Sequence, residues 1–493
     1  MTYTKKVALG GVIVIVFTLL NNIINYVTRM YLARNLSPSE YGLFYSVLTF
    51  VMFFLFFRDF GLGDACVKYA SALRLTNKFD RIKTYFVSAL IWQFINSIIF
   101  ALVFFLMADW LALNYFKVPL SKNILLILLL YVVLSLLFIT LKKIFSAFQK
   151  FALCSMVNVV KSAFILLFIF IFSQLGYGIF SPVWAYPIAC ILLFIVFMPF
   201  LLKTFNIFDH KIVDFKNITK SLFAFGVPVM LSGIGGRIIS YVDTIVLTYM
   251  STMSDVGVYN VILPSAMLFV YIGNAIAQVI FPIASELHAK NDFVKLSAGL
   301  DIMHRYTFFF VLPVIFSVFV FSEFFITFFF SSAYVVGANA FRILLIGVML
   351  YILLVMNNAL ISAIGKPGTV TKIILFAALL NLVSNLILIP MYGINGAAFA
   401  TSLSYGIALL ISTVMVTKFL KGRLPYFVWG KLILAGVFFT YVLNFFKSII
   451  GMNIYFNVIF SVLIAGILYV IFAYVIRIID IKEIKRSMGF IFK

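Results

Sequence analysis

The sequence predicts an all-α polytopic membrane protein with about fourteen transmembrane helices. Hydrophobic residues occupy 65% of the 493 positions and charged residues only 11%, so a water-soluble globule could not bury the apolar surface. Apolar runs of about 20 residues, the length that crosses the hydrocarbon core of a bilayer, recur along the whole chain. Helices are expected, because isolated strands would leave backbone groups unpaired in lipid.

The predicted spans form a group of six, then a polar stretch rich in Lys and Asp, then a group of eight. The first run is too long for a signal-peptide core and lacks a convincing small-residue cleavage site, so we expect it to remain as a mature helix. The spans are 7–33, 41–64, 84–108, 124–144, 153–175, 182–202, 222–250, 257–284, 302–327, 338–364, 369–390, 394–417, 427–446 and 454–476.

The basic residues give the chain a net charge of +22, and their positions indicate its orientation. If the N-terminus is cytoplasmic, about 28 of the 37 Lys and Arg lie in cytoplasmic segments or span ends, and about four lie on the opposite side. This bias predicts a multi-pass protein of the cell membrane, plasma or inner, with both termini in the cytoplasm. The excess charge is then explained by topology and anionic headgroups, and a nucleic-acid partner is not expected.

Cysteine and histidine positions do not suggest a metal site. The cysteines have no paired spacing, and the histidines are far apart, in or beside predicted cytoplasmic loops. Neither a phosphate loop nor a nucleotide-binding fingerprint is present, so no metal, cofactor or ATP-hydrolysing domain is predicted. The residues concerned are Cys66, Cys154, Cys190, His210, His288 and His304.

An internal repeat relates the two halves of the chain at an offset of about 215 residues. Polar, Gly and turn residues match as well as apolar ones, which favours duplication over chance similarity. Six crossings separate equivalent spans, so the repeat is parallel and both halves enter the membrane in the same direction. The matched segments are 22–27 with 237–242, 39–42 with 254–257, 70–79 with 284–293, and 177–179 with 392–394.

The repeat predicts the organisation of the chain into four segments. An N-terminal six-helix lobe covers 1–203, and a cytoplasmic linker covers 204–221. A C-terminal six-helix lobe covers 222–420, and 421–493 adds two helices and a basic cytoplasmic tail. Membrane proteins with such repeats commonly bind a cargo between the halves and expose it alternately to each side. Symmetry therefore predicts a class of mechanism but no particular cargo.

Polar side chains inside the predicted spans are the candidate site residues, because a charge at the bilayer centre costs about 2.5–3.5 kcal/mol on insertion scales. They lie on spans 1, 2, 5, 7 and 8, and we expect spans 1, 2, 7 and 8 to line a cavity. The candidate cavity cations are Arg237, Arg29, Arg58 and Lys161. The candidate cavity amides are Asn21, Asn25, Asn274 and Gln278, and the candidate ion-coupling residues are Asp243 and Asp59.

Alternative roles stay open for several of these residues. Arg237 lies near the middle of its span, which favours a cavity role, and Asp243 is its ion-pair partner, an ion or proton site, or a residue near the outer surface. Arg29 continues the helical face of Asn21 and Asn25 but can also snorkel to the interface, as can Lys161. Arg58 and Asp59 can form either a surface ion pair or part of the site.

Five segments of the sequence, taken in order, are similar to one known family. They are ARNLSPSEYGLFYSV, DFGLGDACVKYAS, FGVPVMLSGIGGRIISYVDTIVL, DVGVYNVILP and LILIPMYGINGAAFATSLSY. Over about residues 1–420 the chain resembles the polysaccharide-export flippases, the oligosaccharide flippase family of the superfamily that also contains the multidrug and toxin extruders.

The resemblance implies a V-shaped transporter of extruder-like fold, with two six-helix lobes around a central cavity. It implies a flippase that moves a polyprenyl-diphosphate-linked oligosaccharide from the cytoplasmic to the outer leaflet by alternating access, and not an enzyme. The buried cations would then bind the diphosphate or acidic sugars, and the amides would bind sugar hydroxyls. Expected partners are this lipid-linked oligosaccharide and the bilayer, with a coupling cation, H⁺ or Na⁺, and glycan-assembly proteins as further candidates.

Two other functions compete with this one. A cation-coupled multidrug or metabolite exporter would share the fold, but its site needs net negative charge, and here the candidate cations balance or outnumber the carboxylates. A membrane glycan polymerase or ligase would need a sizeable outer loop with catalytic groups, whereas the predicted outer connections are short.

Overall fold

The computed structural model describes residues 3–420, 426–449 and 453–478, and these are almost entirely helical, with no β-strand. Within these described ranges, thirteen helical segments are long and apolar enough to cross a membrane. The helices are α1 Tyr3–Asn35, α2 Pro38–Asp59, α3 Leu62–Leu75, α4 Phe79–Leu106, α5 Ala108–Trp110, α6 Ser121–Ala147, α7 Phe151–Gln174, α8 Phe180–Thr204, α9 Phe215–Met250, α10 Met253–Met267, α11 Val270–Ala289, α12 Phe293–Val320, α13 Ser322–Phe329, α14 Ala338–Ala363, α15 Pro367–Leu420, α16 Tyr426–Ile449 and α17 Ile454–Val475.

The longest helical segment, α15, is a hairpin that contains two of the predicted spans. Gly393 has non-helical backbone angles, φ 55° and ψ −131°. The Asn381 side-chain nitrogen donates to Thr401 Oγ1 at 3.1 Å, although these residues would lie about 30 Å apart on a straight helix. The chain therefore turns back at Gly393, and the thirteen segments provide the fourteen crossings that the sequence predicts.

Span 2, predicted to run unbroken to residue 64, ends earlier in the structure. α2 stops at Asp59, and both Phe60 and Gly61 have left-handed backbone angles, with φ 46° and 69°. α3 then starts at Leu62 in a new direction. A glycine in the left-handed region is favoured because it has no Cβ, but the Phe60 conformation could not be read from the sequence.

Span 8 was also predicted as one helix and is two. α10 contains Pro264, which has no N–H to continue the helical hydrogen bonds. The following N–H groups of Leu268 and Phe269 bond three residues back, to Ser265 and Ala266, which tightens the helix before α11 begins. The interruption follows from the proline within the span.

The two helix starts that the repeat aligns have the same capping arrangement. Ser37 and Glu40 form a capping box at the start of α2, in which each side chain bonds the other residue's backbone N–H. At the start of α10, Thr252 and Asp255 bond each other in the same way. The second pair lies about 215 residues after the first, which is the offset of the repeat found in the sequence.

By packing, the chain divides into two compact units, Met1–Asn260 and Val261–Lys493. Five helices, α3, α4, α6, α8 and α9, contribute buried side chains to the core of the first unit. One example from each, in that order, is Leu62, Phe86, Phe145, Phe197 and Leu222. α9 thus packs in the first unit, whereas the repeat assigns it to the second lobe. The lobe boundary at 204–221 stays a prediction about the repeat.

In the second unit, α14 packs against α11 and against the second arm of α15. Gly273 of α11 lies against Ile352, and Gly347 of α14 lies against Ser402, so that a Cβ at either glycine would be within 3.0 Å of its neighbour. The two additional helices predicted after residue 420 are present as α16 and α17. The predicted basic tail falls largely in 479–493, outside the described residues.

A chain of hydrogen bonds connects α16 to the second unit through His304. Trp429 Nε1 donates to His304 Nδ1 at 3.3 Å, so the other ring nitrogen carries the proton and donates to Asn357 Oδ1 at 3.0 Å. Asn357 in turn donates to Thr413 Oγ1 at 2.9 Å. His304 is fully buried in α12, so its expected position in or beside a loop is wrong.

Replacing Trp429 with phenylalanine is expected to destabilise the second unit by about 1–3 kcal/mol, because His304 Nδ1 becomes a buried acceptor without a donor. Thermal unfolding of the purified protein in detergent measures this change. Trp110→Phe, at an indole 56% exposed, is the matched control. Equal melting of the two variants would contradict the prediction.

Candidate functional site

Arg29 reaches from α1 to the backbone of α10. Its Nη1 donates to the Asn260 carbonyl oxygen at 3.0 Å, and its guanidinium lies 4.5 Å from the centroid of the Tyr45 ring. Both groups are neutral, and a cation over an aromatic face is favourable when desolvated. Arg29 is therefore held inside the first unit by a hydrogen bond to a carbonyl and by the face of an aromatic ring.

Arg58 is buried, with 1% of its surface exposed. Its Nη1 donates to the Val132 carbonyl and, at 2.9 Å, to Ser135 Oγ, both on α6. Its Nε is buried and has no hydrogen-bond partner among the residues that the structure describes. A surface ion pair of Arg58 with Asp59 is thus wrong: Asp59 Oδ1 instead accepts from Gln93 Nε2 and, at 3.3 Å, from the Gly63 N–H.

Lys161 lies on α7 and also bonds to α6. Its Nζ donates to the Tyr131 hydroxyl at 3.1 Å and lies 4.0 Å from the centroid of the Phe138 ring. The Tyr131 ring packs edge-on against Tyr186 of α8, with centroids 5.4 Å apart. Tyr131 lies only one helical turn from the residues that hold Arg58, so α6 brings Lys161 and Arg58 to the same level of the first unit.

Arg237 lies on the other side of α2 from Arg58. It is exposed, and its guanidinium is 5.2 Å from the centroid of the Phe56 ring. Phe56 and Arg58 are two residues apart on α2 and so point about 200° apart around the helix axis. The Phe56 ring rests on Gly233 of α9, where an added Cβ would be 3.5 Å from it. The structure therefore groups Arg58 with Lys161 but not with Arg237.

The amides predicted on α1 contact α7. Ser162 Oγ lies 2.8 Å from Asn21 Oδ1 and 3.2 Å from Asn25 Oδ1, and Ser162 follows Lys161 directly. Its single hydroxyl proton is shared between two acceptors. The polar face of α1 thus meets α7 next to one of the candidate cations.

The other candidates lie at two different places. Asn274 and Gln278 are exposed on α11 in the second unit. Asp243 is 2% exposed, and its Oδ2 accepts a hydrogen bond from the Tyr259 hydroxyl at 2.6 Å. Thr244 and Asn260 bond each other beside it, with Asn260 Nδ2 3.3 Å from Thr244 Oγ1. Asp243 therefore belongs to a packed contact between α9 and α10.

Several neutral partners of the cations were not found from the sequence. Tyr45, Tyr131 and Ser135 are common residues in membrane helices, so nothing about their type marks them. Asn260 could have been noticed from the sequence, because the repeat aligns it with Tyr45. In the structure both residues contact Arg29. Within the described ranges, no group of three or more His, Cys, Asp or Glu could hold a metal ion.

These features define a polytopic α-helical membrane protein with cations packed inside its first unit. Its fold is that of known transporters. It matches the lipid II flippase MurJ in an inward closed conformation with a TM-score of 0.76 and 18% identity, over 94% of this chain and 98% of that one. It matches an inward-facing multidrug resistance MATE family transporter with a TM-score of 0.66 and 16% identity, over 81% of this chain and 94% of that one. The predicted extruder-like fold is confirmed.

The chain belongs to the polysaccharide biosynthesis protein family, whose sequence profile matches residues 7–288. An uncharacterised membrane protein of Methanocaldococcus jannaschii is 28% identical over the full length of both chains. A probable low-salt glycan biosynthesis flippase of Haloferax volcanii, Agl15, is 29% identical over 49% of this chain and 51% of that protein. The family resemblance seen in the sequence is confirmed.

Proposed function

We propose that the protein is a flippase, not an enzyme, that moves a polyprenyl-diphosphate-linked oligosaccharide from the cytoplasmic to the outer leaflet of the cell membrane by alternating access. The similarity to Agl15 and the fold shared with MurJ support the class of activity. Both termini lie in the cytoplasm in this proposal, as the distribution of basic residues indicates.

The observation that carries the proposal is the set of cations in the first unit whose contacts are neutral. Arg29 bonds a carbonyl, Arg58 a carbonyl and a hydroxyl, and Lys161 a tyrosine hydroxyl. A desolvated cation is costly unless an anion or strong acceptor offsets it. Asp59, which follows Arg58 on α2, is held by Gln93 and Gly63, so we infer that the three cations keep an excess of positive charge for an anionic cargo.

Diphosphate fits this excess charge better than a neutral lipid or an organic cation does. Arginine remains charged inside the membrane and donates to phosphate oxygens in a fork. The amides at Asn21 and Asn25 lie beside Lys161 through Ser162 and could donate to and accept from sugar hydroxyls. The polyprenyl tail, being apolar, would remain in the lipid during transfer.

Leaflet-sidedness of a labelled cargo in proteoliposomes tests the proposal. Vesicles are loaded with a fluorescent polyprenyl-diphosphate oligosaccharide, and a membrane-impermeant lectin reports the fraction exposed outside. We expect the exposed fraction to change with time only when the protein is present. A fluorescent polyprenyl alcohol bearing the same glycan without phosphate is the control and is expected to move far more slowly.

A cation-coupled exporter of organic cations is the second candidate, because the MATE family transporter has the same fold. The same vesicles distinguish the two functions when a cationic dye replaces the glycan. Saturable dye uptake driven by a proton or sodium gradient, without glycan movement, would refute the flippase proposal.

A further inference from the structure

The two helix starts related by the repeat cross each other within the first unit. The crossing lies at Gly42 of α2 and Gly257 of α10, which are themselves equivalent positions. A Cβ added to Gly42 would lie 2.7 Å from the Gly257 backbone nitrogen, and one added to Gly257 would lie 3.1 Å from the Gly42 backbone nitrogen. The helix backbones are thus in direct contact at the end of the bundle that the sequence places on the outer side.

The carbonyl that Arg29 binds is one that helix α10 cannot use. In an α-helix the carbonyl of residue 260 accepts from the N–H of residue 264, and here that residue is Pro264, which has no N–H. Asn260 thus presents an unused acceptor on α10, three residues after the glycine crossing. Arg29 Nη1 fills it at 3.0 Å.

Arg29 touches both members of another repeat-related pair. Its guanidinium lies over the Tyr45 ring and bonds the carbonyl of Asn260, the residue that the repeat aligns with Tyr45. The position aligned with Arg29 itself is Thr244, which bonds Asn260 through neutral groups. Only one half of the repeat therefore supplies a cation at this level, and that cation joins the two halves.

We propose that Arg29 is a latch that keeps the outer crossing closed by binding the Asn260 carbonyl, and that the anionic headgroup of the cargo releases it. This inference rests on the proposed function, because it takes the cargo to carry a diphosphate. A phosphate oxygen is a charged acceptor and can bind the guanidinium in a fork, so it competes favourably with one neutral carbonyl. Once Arg29 turns to the phosphate, the crossing loses this hydrogen bond.

The latch explains why only one half of the repeat has a cation at this level. In the protein without cargo, Arg29 is stabilised by a carbonyl and not by a carboxylate. A carboxylate paired with Arg29 would compete with the phosphate for it. Cargo binding and outer opening are then linked through one side chain, and each favours the other by the same factor.

Distance measurement between two spin labels tests the latch directly. Ser39 and Ser254 are exposed at the two helix starts, and they are changed to cysteine in a protein whose Cys66, Cys154 and Cys190 are alanine. Double electron–electron resonance then reports how far apart the starts of α2 and α10 lie. The probes are farnesyl diphosphate, a water-soluble stand-in for the charged headgroup, and uncharged farnesol.

We expect farnesyl diphosphate, but not farnesol, to raise the ratio of separated to closed molecules about tenfold. Arg29→Gln should show the separated distances without ligand and respond little to either probe. Arg34→Gln, at an exposed arginine in the last turn of the same helix, is the matched control and should behave as the parent does. Pro264→Ala gives Asn260 a helical donor again, weakens the latch without removing a charge, and should give an intermediate ratio.

Unchanged distances in both Arg29→Gln and Pro264→Ala would overturn the latch, as would an equal response to farnesol. If Arg29→Gln does not fold, Pro264→Ala decides alone. Transport is not part of this measurement. A protein whose labels separate with farnesyl diphosphate but which fails the leaflet assay would therefore refute the proposed function while supporting the latch.

Discussion

Gly61→Ala is expected to destabilise the protein by on the order of 3 kcal/mol or more. Gly61 has φ +69°, and an alanine in the left-handed region costs about 1–2 kcal/mol. A Cβ there would also meet the backbone of Gly226 on α9, which cannot move aside as a flexible side chain can. Both costs fall on the junction of α2 and α3. The midpoint of thermal unfolding of the purified protein in detergent measures the effect.

Alanine substitutions at three other glycines separate the cost of the left-handed conformation from the cost of the contact with a neighbouring backbone. Gly365 has φ +79° and open space around it, so Gly365→Ala carries only the conformational cost. Gly226→Ala carries only the contact cost, because its Cβ would lie 2.7 Å from the Phe60 carbonyl oxygen. Gly236→Ala carries neither. We expect Gly61→Ala to melt lowest and Gly236→Ala highest, and melting of Gly61→Ala no lower than Gly365→Ala would show that the helices adjust around the new methyl group.

Arg237→Gln is expected to lower the rate of glycan transfer in proteoliposomes by at least about tenfold, because glutamine keeps hydrogen bonding but loses the charge that attracts phosphate. Arg237 is exposed and its contact is with the Phe56 ring, so the substitution leaves few packing contacts unsatisfied. Unlike the buried Arg58, it can be changed with little effect on folding. Equal thermal unfolding of variant and parent would confirm that the loss is functional.

Two control variants accompany Arg237→Gln: one keeps the positive charge at position 237, and the other removes a positive charge at a different arginine. Arg237→Lys retains the cation but not the fork, and should recover part of the rate. Arg342→Gln removes an arginine paired with Glu323 at 2.9 Å and should transfer glycan at the parent rate. Transfer by Arg237→Gln at the parent rate would show that this candidate cavity cation, which lies apart from Arg58 and Lys161, does not attract the cargo.

The sequence was sufficient for the number and approximate position of the spans, because the need for about 20 apolar residues per crossing is a strong local constraint. The span predicted at 302–327 instead begins at Phe293 and is interrupted after Val320. The sequence was insufficient for the interruptions of the spans. Nothing local requires Phe60 to adopt a left-handed conformation, and the second span therefore read as continuous. The break near Pro264 was marked by the proline but was hidden within a strongly apolar run.

For the candidate site, the sequence identified charges better than partners. The cost of a charge in lipid singles out Arg29, Arg58 and Lys161 without knowledge of their neighbours. Their partners are backbone carbonyls, hydroxyls and aromatic rings, which are present on every helix. The distance of a residue from the end of its span was a poor guide to its burial. Arg58 lies near the predicted end of its span, which was compatible with a surface position, but it is among the most buried large side chains of the structure.

The meeting of Gly42 with Gly257 also bears on the ancestry of the chain. In a dimer of identical subunits, a residue touches its own copy only beside the two-fold axis. If the duplicated gene once encoded such a dimer, one ancestral glycine supplied both sides of this crossing, and a larger residue at that position would have added a side chain to both helices at once. In the fused chain each glycine can mutate separately. Both side chains would still occupy the same space between α2 and α10, so which substitutions are tolerated at one glycine depends on the residue at the other.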